Sequence, residues 1–103
     1  MKLIGSLTSP YVRKARIVLA EKKIEYEFVL DNPWNADTGV AKLNPLGKVP
    51  VLVLDDDSTL FDSRVIVEYL DHLAGGGRVV PAEPKARFAA LRLQALCDGI
   101  LDA

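Results

Sequence analysis

Cysteine is nearly absent from this chain. The single thiol, Cys97, cannot close an internal disulfide, and without a C-x-x-C pair or a Cys/His cluster there is no pattern for zinc or dithiol chemistry. A chain without a bound metal, in a reducing cytoplasmic setting, is the expectation. Long hydrophobic runs are also missing. Met1-Lys2 leads into only Leu3-Ile4 before Gly5 and Ser6, and nothing approaches the roughly 18 apolar residues of a membrane span. Charge of one sign is lacking as well: 13 Lys and Arg nearly cancel 14 Asp and Glu, so no net field draws the chain to nucleic acid or to an anionic membrane. What is present is apolar content. Half of the 103 residues are hydrophobic, enough for one core and too short a chain for two ordinary ones.

The pattern along the chain alternates short strands with helices. Residues 2–7 form a brief apolar segment that ends in small and hydroxyl residues, as a buried strand does on entering a turn. Pro10 suits the first turn of a helix, and Tyr11, Val12, Ala15, Val18 and Leu19 fall on one side through about Lys23. Residues 25–30 alternate, with Tyr26, Phe28 and Leu30 on one face. A short helix is expected across 36–43. Asn44-Pro45-Leu46-Gly47 breaks the chain before the apolar run Val49 to Leu54, Asp55 to Ser58 makes a polar turn, and Thr59-Leu60-Phe61 returns as an antiparallel partner. Asp55-Asp56-Asp57 lacks the Gly and the bidentate Glu of a calcium loop, so it is read as a turn. Asp62 then opens a helix with Ile66, Tyr69 or Leu70, and Leu73 as its buried stripe, closed by Gly75-Gly76-Gly77. Beyond Pro81 to Pro84, a last helix from near Lys85 places Leu93, Leu96, Cys97 and Ile100 on one side. The order β-α-β-α-β-β-α predicts a mixed four-stranded α/β sheet with helices on its faces.

Three segments offer chemistry. In Thr8-Ser9-Pro10-Tyr11, a hydroxyl sits between a strand end and a helix start, where backbone N–H groups and the helix dipole favour an anion. Ser9 either caps the helix or donates to a thiolate, and each unit by which it lowered a thiol pKa would correspond to about 1.36 kcal/mol. In Gly47-Lys48-Val49-Pro50-Val51, a proline within an apolar run needs a reason, because it has no donor for a ladder. Pro50 is either a trans residue opening the strand or the second half of a cis bond that turns the Val49 backbone toward an extended ligand. Lys48 is either solvated or the partner of a ligand carboxylate. In Phe61-Asp62-Ser63, the Ser63 hydroxyl and helix N–H groups suit a carboxylate and Asp62 suits an ammonium, or the pair only caps the helix. His72 stands late on a helix with no Cys or His near it in sequence and is read as a surface residue.

These three segments, in this order and spacing, resemble the N-terminal domain of the glutathione transferases. TSPYVRKARIVLAEK is similar to the family's first strand-to-helix turn, NPLGKVPVL to its cis-proline segment, and LFDSRVIVEYL to its acidic-Ser helix start. The resemblance implies a thioredoxin-like glutathione-binding domain over residues 1–80. It also implies that residues 81–103 are a linker and the first helix of an all-α domain whose remaining helices the sequence does not contain. Position by position, it implies that Ser9 is the active-site hydroxyl of a serine-type class, and that Val49 and Pro50 hold the cysteinyl part of glutathione. Asp62 and Ser63 would hold the γ-glutamyl end, and Lys48 the glycyl carboxylate in place of a common Gln. The implied activity is attack of the glutathione thiolate on a small electrophile, in a homodimer, with glutathione as co-substrate. The alternative is a non-catalytic module of the same fold that binds glutathione or a protein partner.

Overall fold

A computed structural model describes residues 1–76 and 79–102; the end of the predicted triple-glycine stop, Gly77, and the last residue of the predicted terminal segment, Ala103, lie outside them. The strands are β1 (Lys2–Gly5), β2 (Glu27–Leu30), β3 (Val51–Val53) and β4 (Thr59–Phe61). The helices are α1 (Pro10–Glu21), α2 (Val40–Leu43), α3 (Ser63–Leu73) and α4 (Pro84–Asp102). The sheet order is β2-β1-β3-β4, with β1 and β2 parallel and the other two pairs antiparallel. Among the described residues no helix is long and apolar enough to cross a membrane.

Strand alternation sends successive rungs of the sheet to opposite faces. The rung Phe28–Leu3–Leu52–Leu60 belongs to the cluster packed with Val12, Ala15 and Leu19 of α1 and Ile66, Val67 and Leu70 of α3. The next rung, Val29–Ile4–Val51–Phe61, belongs to a smaller cluster closed by Val40 and Leu43 of α2. Gly5 lets β1 and α1 come this close. A Cβ there would stand 2.6 Å from Cγ1 of Val12, which is itself 1% exposed.

The elements are shorter than the sequence pattern suggests, for local reasons. β3 begins only at Val51, because Pro50 brings no N–H to the ladder and the Val49–Pro50 bond is cis. α2 starts at Val40 rather than Ala36: Asp31 accepts from the Thr38 hydroxyl at 2.6 Å and the Gly39 N–H at 3.0 Å, and Thr38 Oγ1 accepts from Val40 N–H. Those bonds hold 31–39 as a loop. Leu30 and Leu73, predicted on buried faces, are 66% and 49% exposed, since each is the last residue of its element and runs past the layer that covers it.

Candidate functional site

The loop before β3 is built around Asn44. This side chain is 1% exposed, accepts from Leu46 N–H at 2.9 Å and donates to the Lys48 carbonyl at 3.0 Å. Its bonds close Pro45-Leu46-Gly47 into a tight turn, in which Gly47 takes a φ of 64°. Lys48 and Val49 follow as a segment outside the ladder, leading through the cis bond into β3.

At the neighbouring start of α3, Asp62 adopts φ 71° and ψ 122°, a conformation costing a non-glycine residue about 1–3 kcal/mol. Its carboxylate accepts from Arg64 N–H at 2.9 Å, from Arg64 Nε at 3.0 Å and from Arg64 Nη2 at 2.7 Å. The hydrogen bonds from Arg64, outweighing burial, hold the Asp62 carboxyl at about 2, and the same pairing raises the Arg64 guanidinium. Ser63, 5% exposed, has a hydroxyl with no hydrogen-bond partner among the described residues.

These two segments face each other across a cleft of about 270 Å³, lined by Lys48, Val49, Pro50, Asp62, Ser63 and Arg64. Tyr11 of α1 and Ala95, Asp98, Gly99 and Asp102 of α4 form its far wall. The Tyr11 hydroxyl donates to the Asp98 carbonyl at 3.2 Å and also to the Asp102 carboxylate. Its pKa is pushed up to about 12 by that bond to Asp102, with burial and the Asp102 and Asp98 charges adding to it. Lys14 Nζ meets the Asp98 carboxylate at 3.2 and 3.3 Å, so α1 and α4 are tied beside the cleft.

Ser9 stands apart from the other candidates. It does not line the cleft; it is the N-cap of α1, its Oγ accepting from Val12 N–H at 3.3 Å. Tyr11, read from its spacing as a core residue, is only half-buried and turns its hydroxyl to α4. Arg64 and the acidic wall of α4 were not singled out from sequence. The signal was there for α4: Ala95, Asp98, Gly99 and Asp102 recur at three- and four-residue steps, a small-and-acidic stripe beside the apolar one. Among the described residues no group of three or more His, Cys, Asp or Glu is placed to hold a metal ion.

Comparison with known proteins is consistent across sequence and structure. The sequence profile of the family described as glutathione S-transferase, N-terminal domain, matches residues 8–73. The Escherichia coli (strain K12) protein YibF, described as an uncharacterized GST-like protein, is 48% identical over 103 residues, covering 100% of this chain and 51% of its own. A stringent starvation protein A homolog of Pasteurella multocida is 41% identical over 98 residues, covering 91% of this chain and 46% of its own. The crystal structure of a glutathione S-transferase from Methylobacillus flagellatus KT with glutathione bound superposes with a TM-score of 0.93 at 50% identity, covering 98% of this chain and 50% of that one. The chain therefore spans about half the length of the relatives it matches.

Proposed function

The chain belongs to the glutathione S-transferase family, and from that premise we propose that it binds glutathione in the cleft between Lys48–Pro50 and Asp62–Ser63 and activates the sulfur through Ser9. The observation that carries this reading is the convergence of Lys48, Val49, Pro50, Asp62 and Ser63, from two segments, on one cleft. Each answers a different part of a γ-glutamyl tripeptide. The Val49 backbone, off the ladder, pairs with the extended cysteinyl residue. The Ser63 hydroxyl and the N–H groups of α3 take the glutamyl carboxylate, while Asp62, held ionised by Arg64, takes its ammonium. Lys48 meets the glycyl carboxylate.

Ser9, at the start of α1, donates a hydrogen bond to the sulfur while keeping its own proton, and so favours the thiolate, the thiol proton passing to solvent. The thiolate then forms a bond to an electrophilic carbon, whose leaving group or π electrons take the displaced pair. Glutathione is the co-substrate, and the chemistry uses no metal. Residues 1–80 form the glutathione-binding domain, and 81–103 are the linker and first helix of an all-α domain. The setting is cytoplasmic and the assembly a homodimer, in keeping with an exposed free Cys97 and an uncovered apolar face on α4.

A second reading has its own support. Because Ser9 Oγ caps α1 and lies outside the cleft wall, the chain is alternatively a module that binds glutathione or a protein partner without activating sulfur. Calorimetric titration with glutathione and with its S-methyl derivative tests both readings. The transferase predicts that glutathione binds more tightly as pH rises through the shifted thiol pKa, while the S-methyl derivative shows no such dependence. Equal binding of the two at every pH favours the module, and failure of both to bind removes the glutathione site.

A further inference from the structure

An extended ligand gains most from a backbone already fixed in the pairing conformation, because ordering that backbone on binding costs affinity. Val49 lies outside the ladder, and its N–H and carbonyl make no hydrogen bond among the described residues. Its side chain packs against both core clusters while the residue lines the cleft. On the C-terminal side, Pro50 is buried and leads directly into β3. On the N-terminal side, Lys48 is exposed and Gly47 takes a φ of 64°, so the fixing of Val49 depends on an anchor there.

Asn44 supplies it. Its side chain donates to the Lys48 carbonyl and accepts from Leu46 N–H, and since one partner accepts and the other donates, the amide has a single orientation. The Asn44 backbone is itself held: its N–H donates to the Val40 carbonyl at 2.8 Å, and its carbonyl accepts from Gly47 N–H at 2.8 Å. The adjacent Leu43 carbonyl accepts from the Thr59 hydroxyl of β4 at 3.1 Å. β4 runs on toward Asp62, so the loop around Asn44 is tied to both segments that face each other across the cleft. At 1% exposed, with its amide oxygen and nitrogen both bonded to backbone, the side chain acts through the loop rather than on a ligand.

We propose that Asn44 is a positioning residue for the glutathione site: by holding the Lys48 carbonyl, it presents the Val49 N–H and carbonyl, already set, to the cysteinyl part of glutathione. This role rests on the glutathione reading.

Amide hydrogen exchange, read residue by residue by NMR on the full 103-residue chain, tests it without any substitution. The Leu46 amide should be protected in the free chain and change by less than about 2-fold on saturation with glutathione, whereas the Val49 amide should slow by about 10-fold or more. A Leu46 amide protected only when glutathione is present would mean that the ligand orders the loop, and would overturn the proposal. Asn44→Asp gives a second measurement, since it keeps the size and the acceptor but loses the donor to Lys48. It should bind glutathione about 10-fold more weakly, yet bind glutamate γ-methyl ester, which keeps the head group and lacks the cysteinyl residue, within about 2-fold of the parent. Thr59→Val is the control: it removes the bond to Leu43 and leaves the one to Lys48, so it should lower the melting temperature without separating the two ligands. Equal losses for both ligands in Asn44→Asp, or the same separation in Thr59→Val, also overturn the proposal. Hydrogen exchange decides alone if Asn44→Asp does not fold. If glutathione fails to bind the parent chain, the glutathione reading falls and the positioning role with it; if it binds without these patterns, the positioning role falls by itself.

Discussion

A serine hydroxyl has one proton and two lone pairs, and at Ser9 only an acceptor position is used, by the Val12 N–H. Capping and sulfur activation are therefore compatible in one residue: the helix takes a lone pair and the proton remains for a thiolate. Ser9→Ala should raise the pKa of bound glutathione thiol by about 1 unit or more while leaving affinity for the thiol form within about 3-fold. Ser63→Ala, which removes the hydroxyl proposed to meet the glutamyl carboxylate, should weaken binding by about 10-fold and leave the thiol pKa where it was. Ultraviolet absorbance of the thiolate across pH reads the first effect and calorimetry the second. An unchanged thiol pKa in the Ser9 variant would transfer activation to Thr8, Ser6 or a backbone N–H. Asp62 adds no pH dependence near neutrality, since Arg64 keeps it ionised down to about 2.

Three elements are joined at a buried ion pair far from the cleft. Lys22, just past α1, meets Asp71 of α3 at 2.8 Å, and both side chains are 4% exposed. The Asp71 carboxylate also accepts from Val79 N–H at 3.2 Å and Val80 N–H at 3.0 Å, which ties down the chain entering α4. Burial opposes ionisation of Asp71, but the Lys22 bond and the Val80 and Val79 amides outweigh it and hold the carboxyl at about 2, below its ordinary 3.8. A depressed folded pKa means stability that is complete above the unfolded value and lost as pH falls through the folded one. Urea midpoints should thus drop between pH 4 and pH 2 by the equivalent of about 2 kcal/mol from this group. Asp71→Asn should flatten that portion of the profile and cost about 3–5 kcal/mol at neutral pH, because Lys22 is left buried without its carboxylate. A variant as stable as the parent at pH 7 would show that the pair is dispensable.

At the scale of the molecule, α4 is attached mainly through polar contacts. Tyr11, the Lys14–Asp98 pair and the Arg87–Glu68 pair face inward with Leu91, whereas Leu93, Leu96 and Ile100 are 61%, 61% and 67% exposed. Covering side chains of this size contributes roughly 1.5–3 kcal/mol each, comparable in sum to the stability of a small domain. The 103-residue chain should therefore self-associate through this face. Sedimentation velocity should show a weight-average coefficient that rises with concentration, and Leu96→Glu should return the chain to monomer without loss of helix. A parent chain that stays monomeric across the micromolar range would mean the exposed face needs no cover.

Much of this protein is written locally. The buried periods of α1 and α3, the hairpin of β3 and β4, and the Pro50 and Asp62–Ser63 segments are set by residues within a few positions of one another, so they were legible in the sequence. So was the apolar stripe of α4. Its acidic stripe was equally visible as spacing, but nothing in it said which cleft it would face. Tyr11 and Asp98 are separated by 87 positions and meet only because α4 packs beside α1. Likewise, only the packing of the turn places Ser9 outside the wall its neighbours form. Periodicity and turn chemistry act between near neighbours, whereas the position of one helix on another is the balance of all the surfaces buried together, and that balance exists only in the folded chain.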